Sequence, residues 1–357
     1  MAERAGRNLT LAEIYDHFGR VDAAEASPLY ERVAVAIAAS PEALLAIETA
    51  PPLKRHPTVI LAALHDLVLQ GRAPALAAAY DARAVDAAGA AAVEALCALR
   101  DEVVAIATKR QTQTNETGRC AILYPAIAEA ARRAGATSIG LVDVGCSAGL
   151  NLNVDRVGIA YSDGTFLGEP DSVLQLQSEA RGGVAVPANP MPPVVARIGV
   201  DLNPVDVTDD ADARWLRACL WPDQPERLER LNAAIELRAG APPTLIQGDA
   251  VEVLADAVAK VPADALAVLT TTWALAYFSL EDRLRFLRRV DEAAAQRPVA
   301  WVSAESVGIG PAVPTMGDSR RAPHSLVGIA VAHGASIRVD TVARCQPHGA
   351  WLEWLAS

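Results

Sequence analysis

SIGLVDVGCSAGLN, residues 138–151, decides how the rest of the chain is read. An apolar run rich in Ile, Leu and Val reaches Asp143, passes through Gly145, Ser147 and Gly149, and enters Leu150-Asn151-Leu152-Asn153, where a helix can start. A strand turning through small residues into a helix brings free backbone N–H groups and the positive helix end to one spot, where an anionic or polar ligand can sit. The stretch therefore predicts the central strand and ligand loop of an α/β sheet.

Outward from this loop, the pattern alternates. VARIGVDLNPVD reads as the next buried strand, with Asp201 at its end, and PPTLIQGDA as a third, ending in Gly248-Asp249-Ala250. DALAVLTTTWALAYF supplies a fourth, with Thr271, Thr272 and Trp273 at its carboxyl end, and PVAWVSAES a fifth, carrying Glu305. Helical segments lie between them, so the spacing predicts a mostly parallel sheet covered on both faces. Residues 158–193 interrupt the alternation and read as a β-hairpin insertion: Asp163-Gly164 is a turn signal and VLQLQ alternates at period two. The last segment, from Ser325, reads as strands joined by tight turns that form an antiparallel C-terminal edge.

Upstream the texture is different. Apolar residues recur at helical spacing over residues 8–110, and Pro28, Pro41, Pro57 and Pro74 fall where first turns begin. The division expected is an all-α region over 1–110 and an α/β domain over 111–357. A polar stretch, QTQTNETGRC, precedes the central strand and brings Asn115, Glu116 and Arg119 near the predicted ligand loop. His56 and His65 read as ordinary helical-region residues.

A chain of 357 residues exceeds the usual single core. Its formal charge of -11 argues against a nucleic-acid partner, which calls for a basic surface, and leaves a small-molecule substrate or a basic partner as the expectation. Five widely spaced cysteines fit reduced thiols better than disulfides, and neither they nor the histidines have metal-ligand spacing. The opening MAERAGRNLTLAEIYDHFGR has no apolar core with a cleavage site, and apolar runs elsewhere stop short of a membrane span. The expectation is a cytoplasmic protein without membrane or metal.

Two families share the loop's spelling. Asp143-x-Gly145-x-Ser147-x-Gly149 resembles the opening loop of Rossmann-like S-adenosylmethionine-dependent methyltransferases, departing from it by Ser147 where glycine is commoner and by the long insertion before Asp201. That resemblance implies a cofactor site: Gly145, Ser147 and Gly149 admit the methionine part and Asp143 anchors the loop and the ammonium group. Asp201 accepts from the ribose hydroxyls, Asp249 from the adenine amino group, and the N–H of Ala250 meets the ring. Asn115 and Thr271 border the cofactor, while Arg119 and Trp273 line the place of a small-molecule methyl acceptor. Glu305, His324 and His348 are the candidate general bases.

Gly145-Cys146-Ser147-Ala148-Gly149 also spells the G-x-S-x-G elbow of α/β-hydrolases, with Ser147 as nucleophile and Asp249 with His324 or His348 completing a triad. No oxyanion motif of the H-G-G-G type precedes it, and the acids after successive strands are unexplained by a hydrolase. The spacing does not fit the G-x-G-x-x-G of dehydrogenases. A third reading is a non-catalytic binding protein on the methyltransferase framework. Taken together, QTNETGRC, LVDVGCSAGLNLNVDR, GVDLNPVDVTDDADARWLRACLWPDQPERL, TTWALAY and QPHGAWLEWL resemble one bacterial family, catalogued as domain of unknown function twenty-three thirty-two. This resemblance covers nearly the whole chain and implies a methyltransferase-like Rossmann domain behind a helical N-terminal region.

Overall fold

A computed structural model describes residues 9–332 and 339–355, which divide into two compact units with boundaries after 114, 207 and 229: the described residues up to 114 with 208–229, and 115–207 with those from 230 onward. The first unit is helical. Its helices are α1 (Leu11–His17), α2 (Pro28–Ala38), α3 (Pro41–Glu48), α4 (Pro57–Leu69), α5 (Pro74–Asp81), α6 (Val85–Ala98) and α7 (Arg100–Lys109). Helix α8 (Cys120–Ala134) belongs to the second unit, whereas α9 (Asp210–Ala218) and the first turns of α10 (Pro225–Ala239) belong to the first.

Each of the four prolines opens its helix at the first turn, where the missing N–H costs nothing, and Ser27 and Ser40 cap α2 and α3 with their hydroxyls. The core gathers Tyr15, Ile37, Leu61 and Leu64 from the early helices with Trp215 from α9. His65 is buried there, its Nδ1 3.2 Å from the carbonyl of Ala218 and 3.1 Å from that of Leu220, and burial lowers its pKa. Asp66 beside it is held by Arg214 at 2.8 Å. Among the described residues no single helix is long and apolar enough to cross a membrane; α4 and α5 pass such a test only as a pair bent by 98°, and both contribute to this core.

The second unit is a mixed α/β structure around a large, mostly parallel sheet. Its strands are β1 (Ile139–Val144), β2 (Gly158–Tyr161), β3 (Phe166–Gly168), β4 (Gln175–Arg181), β5 (Val194–Asp201), β6 (Thr244–Gln247), β7 (Leu266–Thr272), β8 (Val299–Ser306), β9 (Ser325–Ala332), β10 (Val339–Cys345) and β11 (Trp351–Trp354). The order β3-β2-β4-β11-β10-β9-β8-β7-β1-β5-β6 contains one parallel block, β6-β5-β1-β7-β8, with β1 at its centre. β1 and β7 are buried along their whole length, as strands covered on both faces must be.

One face carries α11 (Ala250–Ala259) and α12 (Leu280–Ala294), whose Val251, Leu254, Phe286 and Val290 pack on Val142, Val144, Leu269 and Trp301. α12 buries Phe286, Val290 and Ala294 and turns its charged side out. α8 lies against β8 and β9.

Three expectations are corrected. The antiparallel C-terminal strands are not an edge: β11 pairs in parallel with β4, so the insertion continues the sheet and β3 and β6 are its edges. The insertion is more than a hairpin, because β2 pairs antiparallel with β3 on one side and parallel with β4 on the other. The expected turn between β9 and β10 falls at 333–338, outside the described residues. The segment after the glycine loop is a kinked 3-10 stretch, Leu150–Arg156, and not an α-helix. Arg197 of β5 draws it out of helical register, donating to the Leu152 carbonyl at 2.5 Å and to both oxygens of Asp155 at 2.7 Å. With Asn and Val among its residues, the segment has little intrinsic helix preference to resist this.

Candidate functional site

The loop after β1 is wound tightly, with Gly145 at φ 74°, Ser147 at φ 51° and Gly149 at φ 69°. Gly145 is required twice over: its φ is left-handed, and a Cβ there would lie 2.7 Å from that of Ala274. Ser147 holds the same kind of φ without being glycine, so its neighbours must hold it in place. Its N–H donates to Asp201 Oδ2 at 2.8 Å, its carbonyl accepts from Val205 at 3.1 Å, and its hydroxyl accepts from the Asn115 amide at 2.9 Å. The Asn115 oxygen in turn accepts from Ala148 N–H at 3.3 Å.

These bonds correct the first expectation about the loop. Gly145 and Cys146 donate to the Val200 carbonyl and Gly149 to that of Cys146, so every N–H from 145 to 149 has a partner within the protein. A loop with its donors spent, entering a short 3-10 segment, is not a cradle for phosphate. What it offers a ligand is close backbone approach and carboxylates. Cys146 is an anchor: its buried sulfur fills the space beside Gly199, where a Cβ would sit 2.5 Å from it, and burial pushes its thiol pKa well up.

Three acids lie on neighbouring strands. Asp201, at the end of β5, accepts from Ser147 N–H at one oxygen and from Asn203 N–H, at 2.8 Å, at the other; a carboxylate oxygen has room for a second bond. Gly248 N–H donates to the Asp201 carbonyl at 3.0 Å, tying the tip of β6 to that of β5. Asp249 follows as the N-cap of α11, accepting from Val251 N–H at 2.8 Å, and Ala250 is the first residue of that helix. Asp143 sits one residue inside β1, on the face opposite Val142 and Val144, and accepts from the Thr270 hydroxyl at 2.6 Å. Burial pushes its carboxyl up to about 6, against the lowering effect of Thr270 and of the Arg119 charge.

At the ends of β7 and β8 lies a second cluster. Arg119, 8% exposed, donates from Nη1 to the Thr272 carbonyl at 3.2 Å and from Nε to that of Pro347 at 3.3 Å, with its guanidinium 4.5 Å above the Trp273 ring. Trp273 has φ 54°, and its indole N–H donates to Ser325 at 3.0 Å. Glu305 is buried. Its Oε1 accepts from Ala274 and Leu275 N–H, both at 3.0 Å, while its buried Oε2 has no hydrogen-bond partner among the described residues. Burial raises the Glu305 carboxyl to about 7, against the lowering effect of those two N–H groups and of Arg119.

The remaining candidates are placed elsewhere. The Thr271 hydroxyl accepts from Trp301 Nε1 at 3.0 Å in the core under α12, because strand alternation sends it to the face opposite Thr270 and Thr272. His324 Nε2 lies 3.0 Å from Asp318, a carboxylate also held by Arg344 at 2.7 Å, and its ring is tilted against Trp351. His348 is exposed, and its carbonyl packs on Gly118, where a Cβ would come within 2.3 Å. The reading from residues assigned no role to Thr270, Thr272 or Glu116, although it placed the last two near the ligand loop. Glu116, buried, accepts from Gly118 N–H at 3.1 Å and stands 4.0 Å from Arg230. The run of three threonines at a strand end was the available signal for the first two.

No curated protein and no solved structure matches the chain. The residues that build both clusters fall within residues 12–354, the span matched by the model of one family, and the chain belongs to that family, described as uncharacterized protein conserved in bacteria (DUF2332).

Proposed function

We propose that the protein is an S-adenosylmethionine-dependent methyltransferase acting on a small-molecule acceptor. The observation that carries this reading is the bond from Ser147 N–H to Asp201, which couples a left-handed small-residue loop after the central strand to the acid at the tip of the next one. Ligands of open α/β sheets bind at the carboxyl ends of such strands, and β6-β5-β1-β7-β8 is an order of that kind. The donor set suits this ligand better than a dinucleotide: the loop has no spare N–H for a pyrophosphate, whereas Asp201 and Asp249 present acceptors for hydroxyl and amino groups. A ligand carrying a sulfonium and an ammonium group also favours a site that contains Asp143, Asp201 and Asp249. Gly145 and Gly149 admit the methionine part, and Asn115 holds Ser147 and Ala148 in the conformation that leaves room for it.

The cofactor supplies an activated methyl group on a sulfonium sulfur. Asp201, Asp249 and the Gly145–Gly149 loop would hold the cofactor, and the chemistry it would supply is a methyl group passed to the acceptor's lone pair while the carbon–sulfur electrons return to sulfur. Arg119 and Trp273 border the acceptor, and Glu305 takes its proton on Oε2, the oxygen left free of the protein's own hydrogen bonds. Positioning supplies much of the acceleration in such a displacement, and a base is needed when the acceptor is a weakly acidic hydroxyl.

The serine-hydrolase reading loses its support, because the Ser147 hydroxyl is bonded to the Asn115 amide and not to an imidazole. Calorimetric titration with S-adenosylmethionine and S-adenosylhomocysteine tests the proposal. Both should bind, and Asp201→Asn should weaken them about tenfold or more, equivalent to about 1.4 kcal/mol. No binding at millimolar cofactor overturns it; binding without turnover of any acceptor would identify the non-catalytic alternative.

A further inference from the structure

The guanidinium of Arg119 is enclosed by protein, yet its charge is not spent on a carboxylate. Its bonds use one N–H at Nε and one at Nη1, both to backbone carbonyls, which leaves one N–H on Nη1 and both on Nη2. The Nη2 side of the guanidinium thus keeps donors for a planar oxyanion. Among the described residues no carboxylate is in contact with it; Glu116, Glu305 and Asp143 act on it only through space. The Trp273 ring, with its centroid 4.5 Å from the guanidinium carbon, covers one face of the group.

A second buried group at the same place lacks a partner. Thr272 gives its carbonyl to Arg119, while its hydroxyl, in a residue 6% exposed, bonds to nothing among the described residues. Two residues along β7 from Thr270, it lies on the Asp143 face of the sheet. A buried cation without a paired anion and a buried hydroxyl without a hydrogen-bond partner are costly unless a ligand supplies them.

We infer that the acceptor carries a carboxylate, received by the free edge of the Arg119 guanidinium and by the Thr272 hydroxyl beside the Trp273 ring. This rests on the methyltransferase reading for the word acceptor, but the anion subsite itself does not. Burial raises the Glu305 carboxyl to about 7, so that near neutral pH it neither neutralises Arg119 fully nor repels an incoming anion at full charge. A carboxylate docked there sits at the carboxyl end of β7, beside the segment that Glu305 holds through Ala274 and Leu275.

The test uses the full chain and a panel of small carboxylic acids, from formate and acetate to aromatic, 2-oxo and amino acids, each paired with its primary amide. Binding is followed by calorimetry and tryptophan fluorescence, with and without S-adenosylhomocysteine. At least one acid should bind at or below about 10 mM, in the range of a single charge-assisted contact, with its amide about tenfold weaker or more. Arg119→Gln should abolish the preference, and Thr272→Val, which keeps shape and β-branching, should weaken the acid several-fold while leaving the amide unchanged. Silence from every acid, equal binding of acid and amide, or an acid preference that survives in both variants overturns the inference. Acid binding that depends on Arg119 without binding of S-adenosylhomocysteine retains the anion subsite and removes the methyltransferase reading. The converse keeps that reading and removes the subsite.

Discussion

Glu305 and Asp143 are carboxyl groups enclosed by protein near the ends of β8 and β1, on either side of β7, and their environments set measurable properties. An acid whose folded pKa lies above its unfolded value binds its proton more tightly when folded. Its contribution to stability is therefore complete below the unfolded pKa and is lost as pH rises through the folded one. For Glu305 the window runs from about 4.5 to about 7. Between pH about 5 and 8 the wild type should lose, relative to Glu305→Gln, on the order of 3 kcal/mol of unfolding free energy. Denaturant midpoints for the two proteins across this range measure it, and parallel profiles would remove Glu305 as the buried acid. In turnover assays the same group gives a rising limb near pH 7, absent in Glu305→Gln. Thiol chemistry offers an independent check on the loop. Cys97 is exposed, whereas Cys120, Cys146 and Cys345 are buried with thiols pushed up by burial. An aromatic disulfide reagent should thus show a fast phase that disappears in Cys97→Ser and persists in Cys146→Ala.

Among the elements, alternation along β7 explains why one threonine of three was misassigned. Residue type and position at a strand end were visible in TTTW, but which hydroxyl meets Asp143 and which meets Trp301 depends on which face each helix covers. The 3-10 stretch after Gly149 has the same kind of cause, since the Arg197–Asp155 fork that shapes it joins residues 42 apart. Both partners of that fork are largely buried, at 10% and 19% side-chain exposure, so Arg197→Met leaves Asp155 unpaired. A loss of about 3 kcal/mol in chemical denaturation is expected; a loss under about 1 kcal/mol would mean that the segment holds its shape without the pair. Gly145→Ala should cost about 1–3 kcal/mol and weaken cofactor, because a left-handed φ and a 2.7 Å contact with Ala274 both oppose the new methyl group.

At the scale of the whole molecule, two units with separate cores predict calorimetric unfolding that departs from a single two-state transition. Trp215→Ala empties a site in the helical core and should lower the transition of the first unit by about 3–5 kcal/mol while leaving that of the sheet unit in place. One coincident transition, shifted as a whole, would show that the units unfold together. Local chemistry decided much of this in advance: prolines and serines marked helix starts, buried runs marked the parallel strands, and glycine spacing marked the loop, because each acts within a few residues. Long-range pairing decided the rest. The docking of β4 on β11, the return of residues 208–229 to the helical unit, the bonds from the glycine loop to Val200, Asp201 and Asn115 and the placement of Arg119 over Trp273 all join residues distant in the chain. Such contacts depend on which faces and ends the packed strands bring together, and no local pattern encodes that.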